Sequence, residues 1–230
     1  MQTKKILGIT LTLRTLRESL SHSDFLMKNS ALGTVHYITT RMLVQASKQS
    51  ELKNLLENTD MLICAEADIL RAAGINSGAR QYEIDNHLYF KEQCRHIERE
   101  NGSFCLLSDT VDNLPALKAL LSAYLGSHFD AVCYSLDKFH SPDGLLIPEV
   151  LANELNDIAP TIIISNIPFP HQLQLMHELK PYLNARMWLA LPADIKLLTR
   201  KRISIFSKLK EKYFKKKVHQ YHESSNPSEN

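Results

Sequence analysis

Glycine is scarce in this sequence, with only 7 among 230 residues. Because glycine lets the backbone approach a ligand closely, main-chain amides can cradle a phosphate at few places. The cysteines form no Cys-x-x-Cys pair, and each lies in or beside an apolar run. This pattern favours buried free thiols over a zinc site or a disulfide framework for Cys64, Cys94, Cys105 and Cys133.

Long apolar runs are also missing. No stretch approaches the roughly 20 residues that a transmembrane helix needs, and Arg14 and Arg17 interrupt the N-terminal apolar residues too early for a signal peptide. With a net charge of only +2, the molecule as a whole is not a polyanion-binding protein. With 44% hydrophobic and 23% charged residues, the composition is that of a soluble globular protein. We expect a cytoplasmic protein.

Strand and helix patterns alternate along most of the chain. Helical spacing of apolar residues predicts helices over 40–59, 68–75, 83–101, 113–126, 147–158 and 170–183. Short β-branched or apolar runs predict strands over 34–39, 60–65, 103–108, 130–136, 161–165 and 185–191. The alternation predicts an α/β fold: a parallel Rossmann-like sheet with helices on both faces.

Segments of different character flank this domain, which we place at 34–195. Residues 1–33 read as an N-terminal arm, in which the leucines from Leu11 to Leu20 could form a short helix. Residues 196–221 predict a basic amphipathic C-terminal helix whose apolar stripe comprises Ile205, Phe206, Leu209 and Tyr213. The polar residues 222–230 predict a disordered tail.

Ligands of parallel α/β sheets bind beyond the carboxyl ends of the strands. One such strand runs directly into a loop with two prolines and no glycine, "TIIISNIPFPHQL" over 161–173. Glycine would be expected there if the backbone had to approach a phosphate.

Several stretches, in their order and spacing, resemble the WecG/TagA/CpsF glycosyltransferase family from about Tyr37 to about Arg200. "ARQYEID" over 79–85 is similar to the family's Arg-Val-Thr-Gly-Ile-Asp motif, and "KFHSPD" over 138–143 to its Gly-Tyr-Phe-Ser-Pro segment. "IIISNIPFPHQ" resembles its Gly-x-Gly-Ala-Pro-Lys-Gln-Glu loop with the preceding strand, and "MWLALPADI" its Gly-Gly-Ala-Phe-Asp strand end.

The resemblance implies a divergent glycosyltransferase. Family members transfer an N-acetylhexosamine-type sugar from a UDP-sugar to a polyprenyl-diphosphate-linked acceptor in bacterial surface-polysaccharide synthesis, at the inner face of the membrane. It implies no metal and no cofactor, with the UDP-sugar as donor. By position, the substrate-binding residues would be Thr39, Arg80, Ser108, Asp109, Asn166, Pro170, Gln172 and Asp194.

The family's catalytic aspartate falls at Ala65. Glu66 or Asp85 would then have to act as the base, although one step along a strand turns a side chain to the other face. Glycines of the family's turns are also replaced, by Ser108-Asp109, by Asn166 and Pro168, and by Leu191-Pro192. The alternative is therefore a catalytically silent binding or scaffold subunit, whose pocket Phe169 and Pro192 would partly fill.

Simpler roles stay open for individual residues. Asp85 could cap the following helix, Gln172 could cap its own, and Arg80 could be an ordinary surface arginine. We expect His36, His140 and His171 to be exposed loop histidines and Trp188 to lie in the core.

The basic segment over 200–217 favours contact with an anionic membrane surface. Within it, Arg200, Lys201 and Arg202 could touch membrane or diphosphate. A solvated helix and contact with RNA or DNA are the alternatives, and we expect no nucleic acid. Self-association is left open.

Overall fold

Parallel strands form the centre of the molecule in a computed structural model that describes residues 1–29, 31–126, 129–194 and 212–221. Six strands pair in the order β4-β3-β8-β7-β5-β6, all parallel, beside a separate two-stranded antiparallel hairpin. The strands are β1 Gln2–Ile6, β2 Ile9–Leu13, β3 Gly33–Ile38, β4 Met61–Cys64, β5 Phe104–Ser108, β6 Val132–Ser135, β7 Ile162–Ser165 and β8 Met187–Ala190.

The helices cover both faces of the sheet. They are α1 Leu16–Asn29, α2 Thr40–Ala46, α3 Ser50–Glu57, α4 Ala67–Ala72, α5 Gly78–Asp85, α6 Leu88–Arg99, α7 Leu114–Leu125, α8 Pro148–Ile158, α9 His171–Leu179 and α10 over 212–221. One core cluster, around Trp188 and Ile163, lies under α3, α8 and α9. The other, around Phe90 and Leu106, lies under α1, α6 and α7. The predicted α/β fold is confirmed.

Five of the six sheet strands fall within the predicted ranges and β3 begins one residue early, at Gly33, but two predicted helices are each divided. The helix predicted over 40–59 breaks at Ser47–Gln49. The helix predicted over 83–101 breaks at Asn86-His87, where His87 adopts the left-handed conformation with φ of 52° and is the N-cap residue of α6. Asp85 instead ends α5, so its interpretation as a helix cap is wrong.

The N-terminal residues fold against the core. Leu7 and Gly8 both have positive φ, 52° and 76°, which gives the tight turn that matches the twist of a two-residue hairpin. In β2 the buried residues alternate with less buried ones, as in a half-buried strand. The prediction of a short helix from Leu11 is therefore wrong, because Leu11 lies in β2 and the first helix, α1, begins at Leu16.

Helix α10 is held by an apolar face of its own. Phe214 is 2% exposed and belongs to the core cluster that includes the hairpin, and Val218 and Tyr221 contact the same cluster. Tyr213, from the predicted stripe, is 56% exposed, and the rest of that stripe lies outside the described residues. Across those residues no helix combines the length and apolar character needed to cross a membrane.

The docking of α10 can be tested by truncating its buried ring. We expect Phe214→Ala to lower the free energy of unfolding by about 3 kcal/mol, because a fully buried phenylalanine is lost and a cavity remains. Tyr213→Ala, on the neighbouring exposed residue, should change it by less than about 0.5 kcal/mol. Urea denaturation of both variants measures the difference, and equal effects would contradict the packing.

Candidate functional site

Gln172 is the most connected of the predicted substrate-binding side chains. It is fully buried in the first turn of α9. Its Oε1 accepts hydrogen bonds from Ser165 Oγ at 2.9 Å and from the Ile167 amide at 2.8 Å, and its Nε2 donates to the Leu191 carbonyl at 2.8 Å. The amide therefore joins the ends of β7 and β8.

Trp188 extends this network from within the core, where it lies as predicted. Its Nε1 donates to Ser165 Oγ at 2.8 Å, so Ser165 accepts from the indole while donating to Gln172. Because the side chain is fully buried and both ends of its amide are hydrogen-bonded, Gln172 works as a structural connection in this conformation.

Glu66 also faces inward. It is 4% exposed, and its Oε2 accepts from the Thr40 amide at 2.9 Å and from Thr40 Oγ1 at 2.6 Å. Thr40 is the first residue of α2, whose early amides have no partner inside the helix. The carboxylate thus satisfies the beginning of α2. Thr40 was not a predicted site residue, and only its place next to Thr39 could have suggested it.

Ala65, next to Glu66, and Thr39, next to Thr40, both contact the local backbone. Ala65 is buried, and its amide donates to the Ile38 carbonyl at 2.8 Å, which continues the pairing of β3 and β4. Thr39 is the N-cap residue of α2, and its Oγ1 accepts from the Met42 amide at 3.2 Å. Both positions serve the local backbone.

The turn after β5 closes on itself. Ser108 is buried and its Oγ donates to the Thr110 carbonyl. Asp109 Oδ1 accepts from the Thr110 amide at 2.9 Å and from Asn113 Nδ2 at 2.6 Å. These are the bonds of a self-stabilised polar turn.

Asn166 is the exception among the loop residues. It is 2% exposed, and its backbone N–H donates to the Leu107 carbonyl at 3.1 Å. Its Oδ1 has no hydrogen-bond partner. Pro170 follows a cis peptide bond and is the N-cap residue of α9. Pro192 is buried, while Phe169 packs half-buried against the Trp188 cluster.

The remaining predicted residues are dispersed. Asp194 and Asp85 are exposed, the latter at the end of α5. Arg200, Lys201 and Arg202 lie outside the described residues. Within the described ranges, no group of three or more His, Cys, Asp or Glu side chains is arranged to hold a metal ion.

Arg80 lies on α5 and borders a small cavity of about 40 Å³ on the α1 and α6 side of β3 and β4. Its Nη2 donates to the Arg14 carbonyl at 2.6 Å, which fixes α5 against the residue that follows β2. Arg14 and Glu83 line the same cavity, together with Tyr37 and Cys64. Arg14 and Glu83 were not predicted site residues.

His36 is a buried strand residue, so its prediction as an exposed loop histidine is wrong. Its Nδ1 lies 2.9 Å from the Tyr37 carbonyl and its Nε2 has no partner. Burial lowers the pKa of His36 to about 4, opposed by the Tyr37 carbonyl, with a smaller lowering by His177. His140 and His171 are exposed as predicted.

The sequence matches the model of the Glycosyl transferase WecG/TagA/CpsF family over residues 4–203. The chain belongs to this family. The match begins within the N-terminal hairpin and continues through the predicted α/β domain. Among curated proteins the sequence finds no match.

Removing the Gln172 amide tests its structural role. We expect Gln172→Ala to lower the free energy of unfolding by about 3 kcal/mol, because the Leu191 carbonyl and the Ile167 amide lose their buried partner. Gln174→Ala, on a less buried position of the same helix, is the matched control and should cost less than about 1 kcal/mol. Chemical denaturation distinguishes them, and a neutral Gln172→Ala would refute the structural role.

Burial of neutral His36 should make stability depend on pH. Its pKa rises from about 4 in the folded chain to about 6.5 when unfolded, so acid favours the unfolded state. We expect the unfolding free energy of wild type to fall, relative to His36→Gln, by about 3 kcal/mol as pH drops from 6.5 to 4. Exposed His171→Gln is the control. Parallel pH profiles for wild type and His36→Gln would contradict the prediction.

Proposed function

We propose that this WecG/TagA/CpsF family member does not transfer sugar and acts as a binding or scaffold subunit in bacterial surface-polysaccharide synthesis. One observation carries the proposal. Ala65 occupies the position that the resemblance assigns to the catalytic aspartate, and the adjacent carboxylate of Glu66 is bonded to Thr40.

A general base must reach the proton that it removes, directly or through one water. Glu66 is 4% exposed and accepts two hydrogen bonds from Thr40, so its carboxylate is committed to α2. Asp85 lies exposed at the end of α5 and is tied to no other predicted catalytic residue. We therefore expect neither carboxylate to act as the base.

The donor loops support the same proposal. The side-chain amide of Gln172 is hydrogen-bonded to Ser165 at the end of β7 and to Leu191 after β8. Ser108 and Asp109 form hydrogen bonds within their own turn. Asp109 also carries a negative charge where the family has glycine, and a carboxylate repels the phosphates of a nucleotide. A UDP-sugar would therefore meet closed and partly repulsive loops.

A divergent transferase is the second candidate, and the Arg80 cavity favours it. Arg80 keeps the position of the family motif and borders a cavity next to β3 and β4. Under this hypothesis Arg80 would help hold a UDP-sugar donor, Glu66 would leave Thr40 to act as base, and a polyprenyl-diphosphate-linked acceptor would be the partner. No cofactor or metal is part of either proposal.

Both candidates place the chain at the inner face of the bacterial cytoplasmic membrane. Helix α10 supports this location, because it is anchored through Phe214 while its lysines Lys212, Lys215 and Lys216 stay exposed. Exposed lysines attract an anionic lipid surface, each by about 1 kcal/mol.

Release of UDP from UDP-N-acetylhexosamines, with a polyprenyl-diphosphate-linked acceptor in detergent, tests the proposal. We expect wild type and Glu66→Gln to release UDP at the same rate as buffer, because no base is positioned. Circular dichroism establishes that both are folded. Turnover by wild type that disappears in Glu66→Gln would contradict the silent-member proposal and establish the transferase.

A further inference from the structure

We propose that Arg14 supplies a second guanidinium, beside that of Arg80, to a diphosphate-binding site at the cavity that both residues line. The inference deepens the proposed binding function, on which it rests, by naming the chemical class of its ligand. It adds a residue outside the motifs that pointed to the family.

The two arginines are held together by the backbone. Arg80 Nη2 donates to the Arg14 carbonyl at 2.6 Å, so the Arg80 guanidinium lies against the backbone of Arg14. The cavity that they help to line has a volume of about 40 Å³. That is more than the roughly 10–15 Å³ that a single water occupies by the same measure, so a group of several atoms can enter.

The N–H donors of the Arg14 side chain are available to a ligand. The guanidinium has no hydrogen bond and no ion pair with any residue that the structure describes. Burial lowers the pKa of Arg14, and Glu18 only partly offsets this effect. A half-buried cation without a direct partner is costly, and an anion in the cavity would relieve that cost.

The carboxylates nearby do not fill this role. Glu83 Oε2 accepts from the Leu16 amide at 3.1 Å, and Glu18 Oε2 accepts from the Thr15 amide at 2.9 Å. Both acids therefore serve the beginning of α1. Arg80, which gives one of its five N–H groups to Arg14, and Arg14 itself can offer planar forks of the kind that bind phosphate oxygens in pairs.

Calorimetric titration of the full chain with inorganic pyrophosphate tests the site. We expect Arg14→Gln to weaken binding about tenfold, equivalent to ~1.4 kcal/mol, and Arg14→Lys to give an intermediate loss because it keeps the charge without the fork. Arg17→Gln is the matched control, since Arg17 is exposed in the same segment and does not line this cavity. It should bind like wild type.

UDP and geranyl diphosphate identify the source of the diphosphate. If UDP binds more tightly than pyrophosphate and with the same dependence on Arg14, the ligand is a nucleotide. If geranyl diphosphate binds more tightly, the ligand is a lipid-linked diphosphate. Equal affinities of wild type and Arg14→Gln, an equal loss in Arg17→Gln, or no binding at millimolar pyrophosphate would overturn the inference. Sugar transfer would overturn the silent function without altering these binding comparisons.

Discussion

The hydrogen bonds of Gln172 are the interaction on which the geometry of the site depends. One buried amide joins the end of β7, the loop after it and the Leu191 carbonyl after β8. Because Trp188 bonds to the same Ser165 hydroxyl, the loop is also tied to the core. Any ligand that needed this loop to move would have to break several buried hydrogen bonds at once, each costly to leave unmade.

The same principle applies at the neighbouring strand ends. Glu66 bonds to the start of α2, and Asp109 bonds within its own turn, so polar residues at the carboxyl edge mainly stabilise the protein. A parallel α/β sheet ordinarily presents this edge to ligands. Here the fold is kept while most of its edge is closed, and Asn166 Oδ1 is a buried polar atom at this edge that has no hydrogen-bond partner.

The sequence predicted the sheet well because its strands are short apolar runs between helices, a pattern set by burial alone. The sequence-based prediction failed where a few backbone angles determine the course of the chain. At Asn86-His87 a left-handed residue divides a helix that the apolar periodicity had predicted to be continuous. His36 was misjudged because its burial comes from neighbouring strands and from Phe169, which are distant in sequence. Motif spacing located Gln172 and Glu66 but could not tell which way their side chains turn. Arg14 was missed because it lies 66 positions from Arg80 in sequence and meets it through a tertiary contact.

Hydrogen exchange of the Ile167 and Thr40 amides tests most directly whether these loops are closed. Both amides donate to buried side chains, Ile167 to Gln172 and Thr40 to Glu66. The account predicts slow exchange of both in the free protein, unchanged by millimolar UDP-N-acetylglucosamine. Fast exchange in the free protein that becomes slow when the UDP-sugar is added would show loops that open for a donor, and would contradict a site closed by its own hydrogen bonds.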